Sequence, residues 1–204
     1  MRSPVPTSNA TFRPFKMKIL FLVFIAYTLF SCTAENKNEN GLLNFEEVGW
    51  TIKFPKDFNQ FDSLLNKNIQ KNAKKENFSS QYKQLFSVRN GNFNSFTSTI
   101  NPYPITKDTW EKSFEISKQL LISELEKFGT KIQIMDTATS VDNIDGVKFM
   151  KFFTKIYYTD RKLILNSYWF YRKIGNYDLS ITIGYDDKKI GLSFLKILKE
   201  SKFN

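Results

Sequence analysis

Cys32 is the only thiol in the chain, and none of its 204 residues is a histidine. A lone cysteine can be acylated or attack an electrophile, but here no imidazole is available to activate it. The missing histidine also removes the commonest general base, the commonest metal ligand and the usual pH switch near neutrality. Carboxylates remain. Asp186-Asp187 could hold a hard cation at a strand end, yet two acids directly before Lys188-Lys189 read as the charge pattern of a helix start. Asp142-Asn143-Ile144-Asp145-Gly146 has some calcium-loop character but lacks the alternating ligands and the distal glutamate. It reads as a turn. No serine lies in a Gly-x-Ser-x-Gly elbow, and no glycine-rich loop could cradle a phosphate. No catalytic, cofactor-binding or metal-binding residue is therefore expected. An enzyme built here would have only carboxylates and lysines to work with.

What precedes Cys32 gives it a different chemistry. Met17-Lys18 supplies a positive charge, Ile19 to Phe30 is apolar, and a polar tract follows Cys32. A membrane-crossing helix needs about 20 apolar residues. This run is shorter, ends in small and polar residues, and has the pattern of a removed export signal. Leu29-Phe30-Ser31-Cys32 is similar to the lipobox of bacterial lipoproteins, with leucine three residues before the cysteine and a small residue directly before it. That resemblance implies a lipid on Cys32 and cleavage in front of it. Met1 to Lys16 carries Pro4, Pro6 and Pro14 without periodicity. Either translation starts at Met17, or this stretch is a long basic leader with Arg2, Arg13 and Lys16.

The expected processing changes the charge. The whole chain has 30 basic and 20 acidic residues, and residues 1–31 hold four basic ones (Arg2, Arg13, Lys16, Lys18) and no acidic ones. The remaining 173 residues thus carry 26 basic against 20 acidic side chains. That length suffices for one domain with a real core. The excess is modest and scattered, which is the pattern of a lysine-rich solvated surface and excludes a nucleic-acid partner. No disulfide can form within the chain. Phe, Tyr and Trp make up 16% of it, so stability must come from aromatic burial.

The elements that must position these residues follow from periodicity. Thr33 to Asn44 is polar and asparagine-rich and reads as a tether, with the domain starting near Phe45. Val48, Trp50, Ile52 and Phe54 alternate in a strand closed by Pro55. Asp57 to Lys75 reads as a helix on Phe58, Phe61, Leu65 and Ile69. Tyr82 to Arg89 and Phe93 to Ile100 read as a hairpin turning at Asn90-Gly91. Thr106 to Phe128 reads as a helix capped by Asp108 with Glu111 reaching back, and ending at Gly129. The period then becomes two. Strands are expected at Lys131–Val141, Val147–Tyr158, Leu163–Ile174 and Tyr177–Tyr185, with turns between, then a helix at Lys189–Ser201. The Tyr177–Tyr185 strand should bury one face and wet the other. Aromatics interleaved with lysine in Lys148–Tyr158 and Tyr168–Lys173 would suit single-stranded RNA on an open sheet, but their spread over both faces reads as core.

This order predicts an α+β domain, an antiparallel sheet with helices packed on it. Gly49-Trp50-Thr51-Ile52-Lys53-Phe54-Pro55, the long helix Thr106–Phe128, the Asp145-Gly146 turn into an aromatic strand and the helix after Tyr185 together resemble the Mog1/PsbP-like domain over nearly all of residues 45–204. The resemblance implies an α/β/α sandwich and a binding or accessory module rather than an enzyme. A cystatin- or NTF2-like α+β domain is the rival. The combined expectation is a non-enzymatic lipoprotein, held at a membrane by lipid on Cys32 and facing the periplasm or the surface. It would bind a protein partner of the cell envelope. The alternative is a small-ligand carrier or sensor with a pocket between the sheet and the long helix.

Overall fold

The computed structural model describes residues 41–55, 83–102 and 109–204. Cys32, the export segment, the helix expected at Asp57–Lys75 and the Asp108 cap lie outside those residues. A first strand, β1 (Leu42–Phe45), a 3-10 turn at Glu46–Val48 and β2 (Trp50–Lys53) open the fold. β3 (Lys83–Arg89), β4 (Ser95–Pro102) and helix α1 (Trp110–Glu126) follow. The meander is β5 (Ile132–Ile144), β6 (Val147–Tyr158), β7 (Leu163–Ile174) and β8 (Tyr177–Tyr185), then α2 (Lys188–Glu200) and a short β9 (Lys202–Phe203). This is an α+β architecture. β6, β7 and β8 begin and end where the sequence places them.

Other expectations need correction. The domain was expected near Phe45, but β1 starts at Leu42, inside the stretch read as a tether. Leu43 and Phe45 alternate with the exposed Leu42 and Asn44 and pair with Ile52 and Trp50, which gives this short segment a buried face. Val48 was expected in the following strand but sits in the 3-10 turn, because Gly49 adopts a left-handed conformation (φ 58°) that breaks the strand. The β3–β4 connection is a five-residue loop, Asn90 to Asn94, rather than a two-residue turn at Asn90-Gly91. Asn94 closes it by donating to the Asn90 carbonyl at 2.9 Å. It also accepts from the Asp186 and Asp187 backbone N–H groups at 3.2 and 3.1 Å, so the loop is bolted to the start of α2. Thr109, not Asp108, caps α1, its hydroxyl accepting from the Lys112 N–H at 3.3 Å. β5 runs on to Ile144 because only Asp145 and Gly146 are needed to turn. Both have positive φ (50° and 83°), the geometry of a two-residue hairpin.

The strands form two antiparallel sheets among the described residues. One has the order β1-β2-β9, the other β3-β4-β8-β7-β6-β5. Alternation assigns opposite faces of the larger sheet to different covers. On one face Phe96, Phe149, Phe170, Ile181 and Ile183 join Phe194 and Leu198 of α2 and Trp50 and Ile52 of the small sheet in one core. On the other, α1 seats Phe114 against Trp169, with ring centroids 5.0 Å apart, and against Phe152 and Tyr171. Each such aromatic contributes about 1.5–3 kcal/mol by burial. β8 is therefore covered on both sides, contrary to the one wet face expected. Ser180 and Thr182 are buried, and Ser180 accepts from the Trp169 indole N–H at 2.7 Å.

Candidate binding surface

Of the carboxylates singled out in the sequence, Asp142, Asp145 and Asp187 are engaged in structure. Asp187 is the N-cap of α2, accepting from the Lys189 and Ile190 N–H groups at 2.7 and 3.2 Å. Asp142 is held between Lys151, at 3.3 Å, and Lys199 of α2. Burial pushes its carboxyl up, but the two ammonium groups outweigh that and hold it below its ordinary value. Asp145 accepts from Lys202 at 2.9 Å and from the Phe203 N–H at 2.8 Å, and the Lys202 bond lowers its carboxyl. These contacts fasten α2 and β9 to the β5–β6 hairpin. Asp142 and Asp145 thus act as clasps. Among the described residues no three His, Cys, Asp or Glu side chains gather as a metal site.

The pocket imagined between the sheet and the long helix is filled. Phe114, Trp169 and Tyr171 occupy it, and the Arg172 guanidinium covers Trp110 at 4.4 Å. A recess does open elsewhere on that face, lined by Arg89, Ser95, Ser167, Thr182 and Gly184, but its cavity volume is about 30 Å³. That admits about one water molecule.

An open surface lies on the opposite face of the sheet. α2 packs on β8, β2 and the end of β5, so it crosses the sheet obliquely and leaves the far part of β5, β6 and β7 outside its shadow. Pairing puts Phe153 opposite Tyr168, and Tyr157 opposite Ile164. These four residues share one face with Lys155 and with Ala138 and Ser140 of β5. Phe153, Tyr157, Tyr168 and Lys155 are half-buried, and Ile164 is 39% exposed. The Phe153 and Tyr168 rings lie 4.9 Å apart, and Lys151 stands 5.9 Å from the Tyr168 centroid. Tyr168 stacks on Tyr185 at 6.3 Å. Burial and the hydrogen bond to Tyr168 push the Tyr185 phenol up to about 12, so it stays protonated at any physiological pH.

One flank of α2 borders this floor. Lys199 reaches β5 through Asp142, which fixes the direction of that flank. Leu195 and Leu192 precede Lys199 by four and seven residues and so lie on the same side. Leu192 is 53% exposed. The sequence reading gave α2 a single apolar face of Ile190, Phe194, Ile197 and Leu198. Leu192 and Leu195 fall off that stripe, and this was the available signal for a second apolar flank. Phe153 also departs from the core reading. Phe149, Phe152 and Ile156 are buried, but β6 lies next to the edge strand and its far end is covered on one face only.

No family model matches the chain, and no curated protein matches it by sequence. Among solved structures the fold is similar to that of cyanobacterial PsbP (CyanoP) from Synechocystis, with a TM-score of 0.53 and 6% identity, covering 84% of this chain and 98% of that one. At such low identity the likeness concerns the fold, and it favours the Mog1/PsbP-like reading over the cystatin- and NTF2-like rivals.

Proposed function

We propose that this chain is a lipid-anchored, non-enzymatic accessory protein of a bacterial cell envelope, whose α+β domain docks a protein partner on the open sheet face beside α2. The observation that carries the docking is the partly exposed floor of Phe153, Tyr157, Tyr168 and Ile164. Aromatic residues at a partly desolvated centre with charged groups at the rim are the anatomy of a protein interface. The rim is of mixed charge, with Asp142 between Lys151 and Lys199 and Asp136 opposite Lys155, so the partner would present apolar residues to the aromatic centre. The anchor rests on the lipobox-like segment before Cys32. The accessory role rests on the absence of histidine and on a fold similar to PsbP.

The test is a crosslinked pull-down of the tagged protein from native membranes. The wild type should bring down one stoichiometric partner. Cys32→Ala should lose it by leaving the membrane. Tyr157→Ala with Lys155→Glu should stay in the membrane and lose it too. Retention of the partner by that double variant would overturn the docking face. Recovery of Cys32→Ala in the membrane fraction would overturn the anchor.

A further inference from the structure

β5 is the outer strand of the larger sheet among the described residues, pairing only with β6. It is 13 residues long, about twice the usual strand. Every residue from Met135 to Val141 is exposed, with Met135 at 48% and Val141 at 61%. Natural edges of this length are normally blunted by lysine or proline. Here no lysine, arginine or proline interrupts the strand. Its charges are Asp136 and Asp142, and its one irregularity is the register shift at Met135, between Ile134 and Asp136.

The exposed segment has a two-fold pattern centred on Ala138. Thr137 matches Thr139, and polar Asp136 matches polar Ser140. An antiparallel edge contact with the same face up requires residues of like parity to oppose each other. Few registers are then open, and charge disfavours the one next to the centre of the exposed segment. An axis at Thr139 would set Asp136 of each copy against Asp142 of the other, which is destabilising. An axis at Ala138 opposes Asp136 to Ser140, so no like charges meet, and it centres the pairing on the exposed segment Met135–Val141.

We infer that β5 pairs with β5 of a second copy about a two-fold axis at Ala138, joining two six-stranded sheets into one. This contact adjoins the docking face, since Ala138 stands opposite Phe153, but it uses the outer backbone edge of β5 rather than the flat of the sheet. It is tested on the full chain in mild detergent, with Cys32→Ser removing the only native thiol. At the axis the two Ala138 Cα atoms would be about 4.5–5.5 Å apart, within disulfide range. Ala138→Cys should therefore give a disulfide-linked dimer on mild oxidation. Ser140→Cys should not, because its two copies would be offset by about 14 Å along the strands. Ala138→Lys places like charges on the axis and should sediment as a folded monomer with a cooperative melt, while the parent sediments as a dimer. A monomeric parent at every concentration, a dimeric Ala138→Lys variant, or crosslinking of Ser140→Cys in place of Ala138→Cys would overturn the proposal.

Discussion

Gly191 shows how a single residue decides where α2 sits. A β-carbon built there would lie 2.3 Å from the Tyr185 ring, so α2 rides directly on that phenol. Gly191→Ala should gain about 1 kcal/mol in helix propensity and lose about 1–3 kcal/mol through overpacking. At such a close approach the loss should win, and the urea midpoint should fall. The acidic residues set the pH response. Asp142 and Asp145 have lowered folded-state values. Their stabilisation is present above the ordinary carboxylate value and is lost as pH falls through the folded value. Asp145→Asn should therefore flatten the acid limb of the stability curve. Asp178 works in the opposite sense. Burial raises its carboxyl, against the Tyr171 hydrogen bond and the Lys173 charge that lower it. Its cost appears as pH rises from the ordinary value through the raised one. Asp178→Asn should stabilise the protein at neutral pH, and the gain should vanish once pH falls below the ordinary carboxylate value. Denaturation midpoints across the acid range would check both.

At the scale of elements, the small sheet depends on its last strand. The Phe203 ring lies parallel to Trp50 at 5.7 Å and 4°, and the Trp50 indole donates to Ser201 at 2.8 Å. The Asn204 N–H donates to the Gly49 carbonyl at 2.8 Å. Deleting Lys202 to Asn204 removes an aromatic stack worth about 1 kcal/mol and several hydrogen bonds worth about 1 kcal/mol each. A loss of about 3 kcal/mol, with red-shifted tryptophan emission, is the expected outcome of a denaturant titration. β9 was not legible in the sequence, because a two-residue strand has no period to read. Its partner lies some 150 residues away. The long meander strands were legible because alternation over nine to twelve residues has no other interpretation, and Asp145-Gly146 and Gly175 mark where they turn. The N-cap of α1 was misplaced by one residue because Asp108 and Thr109 carry equally good capping groups. The open floor was hidden for a different reason. Phe153 and Phe149 share a strand and a face, and only the oblique path of α2 separates the covered ring from the uncovered one.

For the whole molecule, the arrangement β1-β2-β9 puts the first described strand at the edge of the smaller sheet, away from the six-stranded one. Gly41 enters there, its carbonyl accepting from the Phe54 N–H at 2.9 Å, and β1 then pairs with β2 from Leu42–Lys53 to Phe45–Trp50. A pulling force arriving through the chain before Gly41 meets this hairpin at its open end. The bonds would break one after another, as a zipper opens, and would not share the load in shear. Freeing the four residues of β1 would extend the reach by about 14 Å. Leu43 and Phe45 would leave the core, and the Phe45 ring would lose its stack on Phe86 of β3 at 5.8 Å. Under a force applied at that end, the fold would thus yield first at β1.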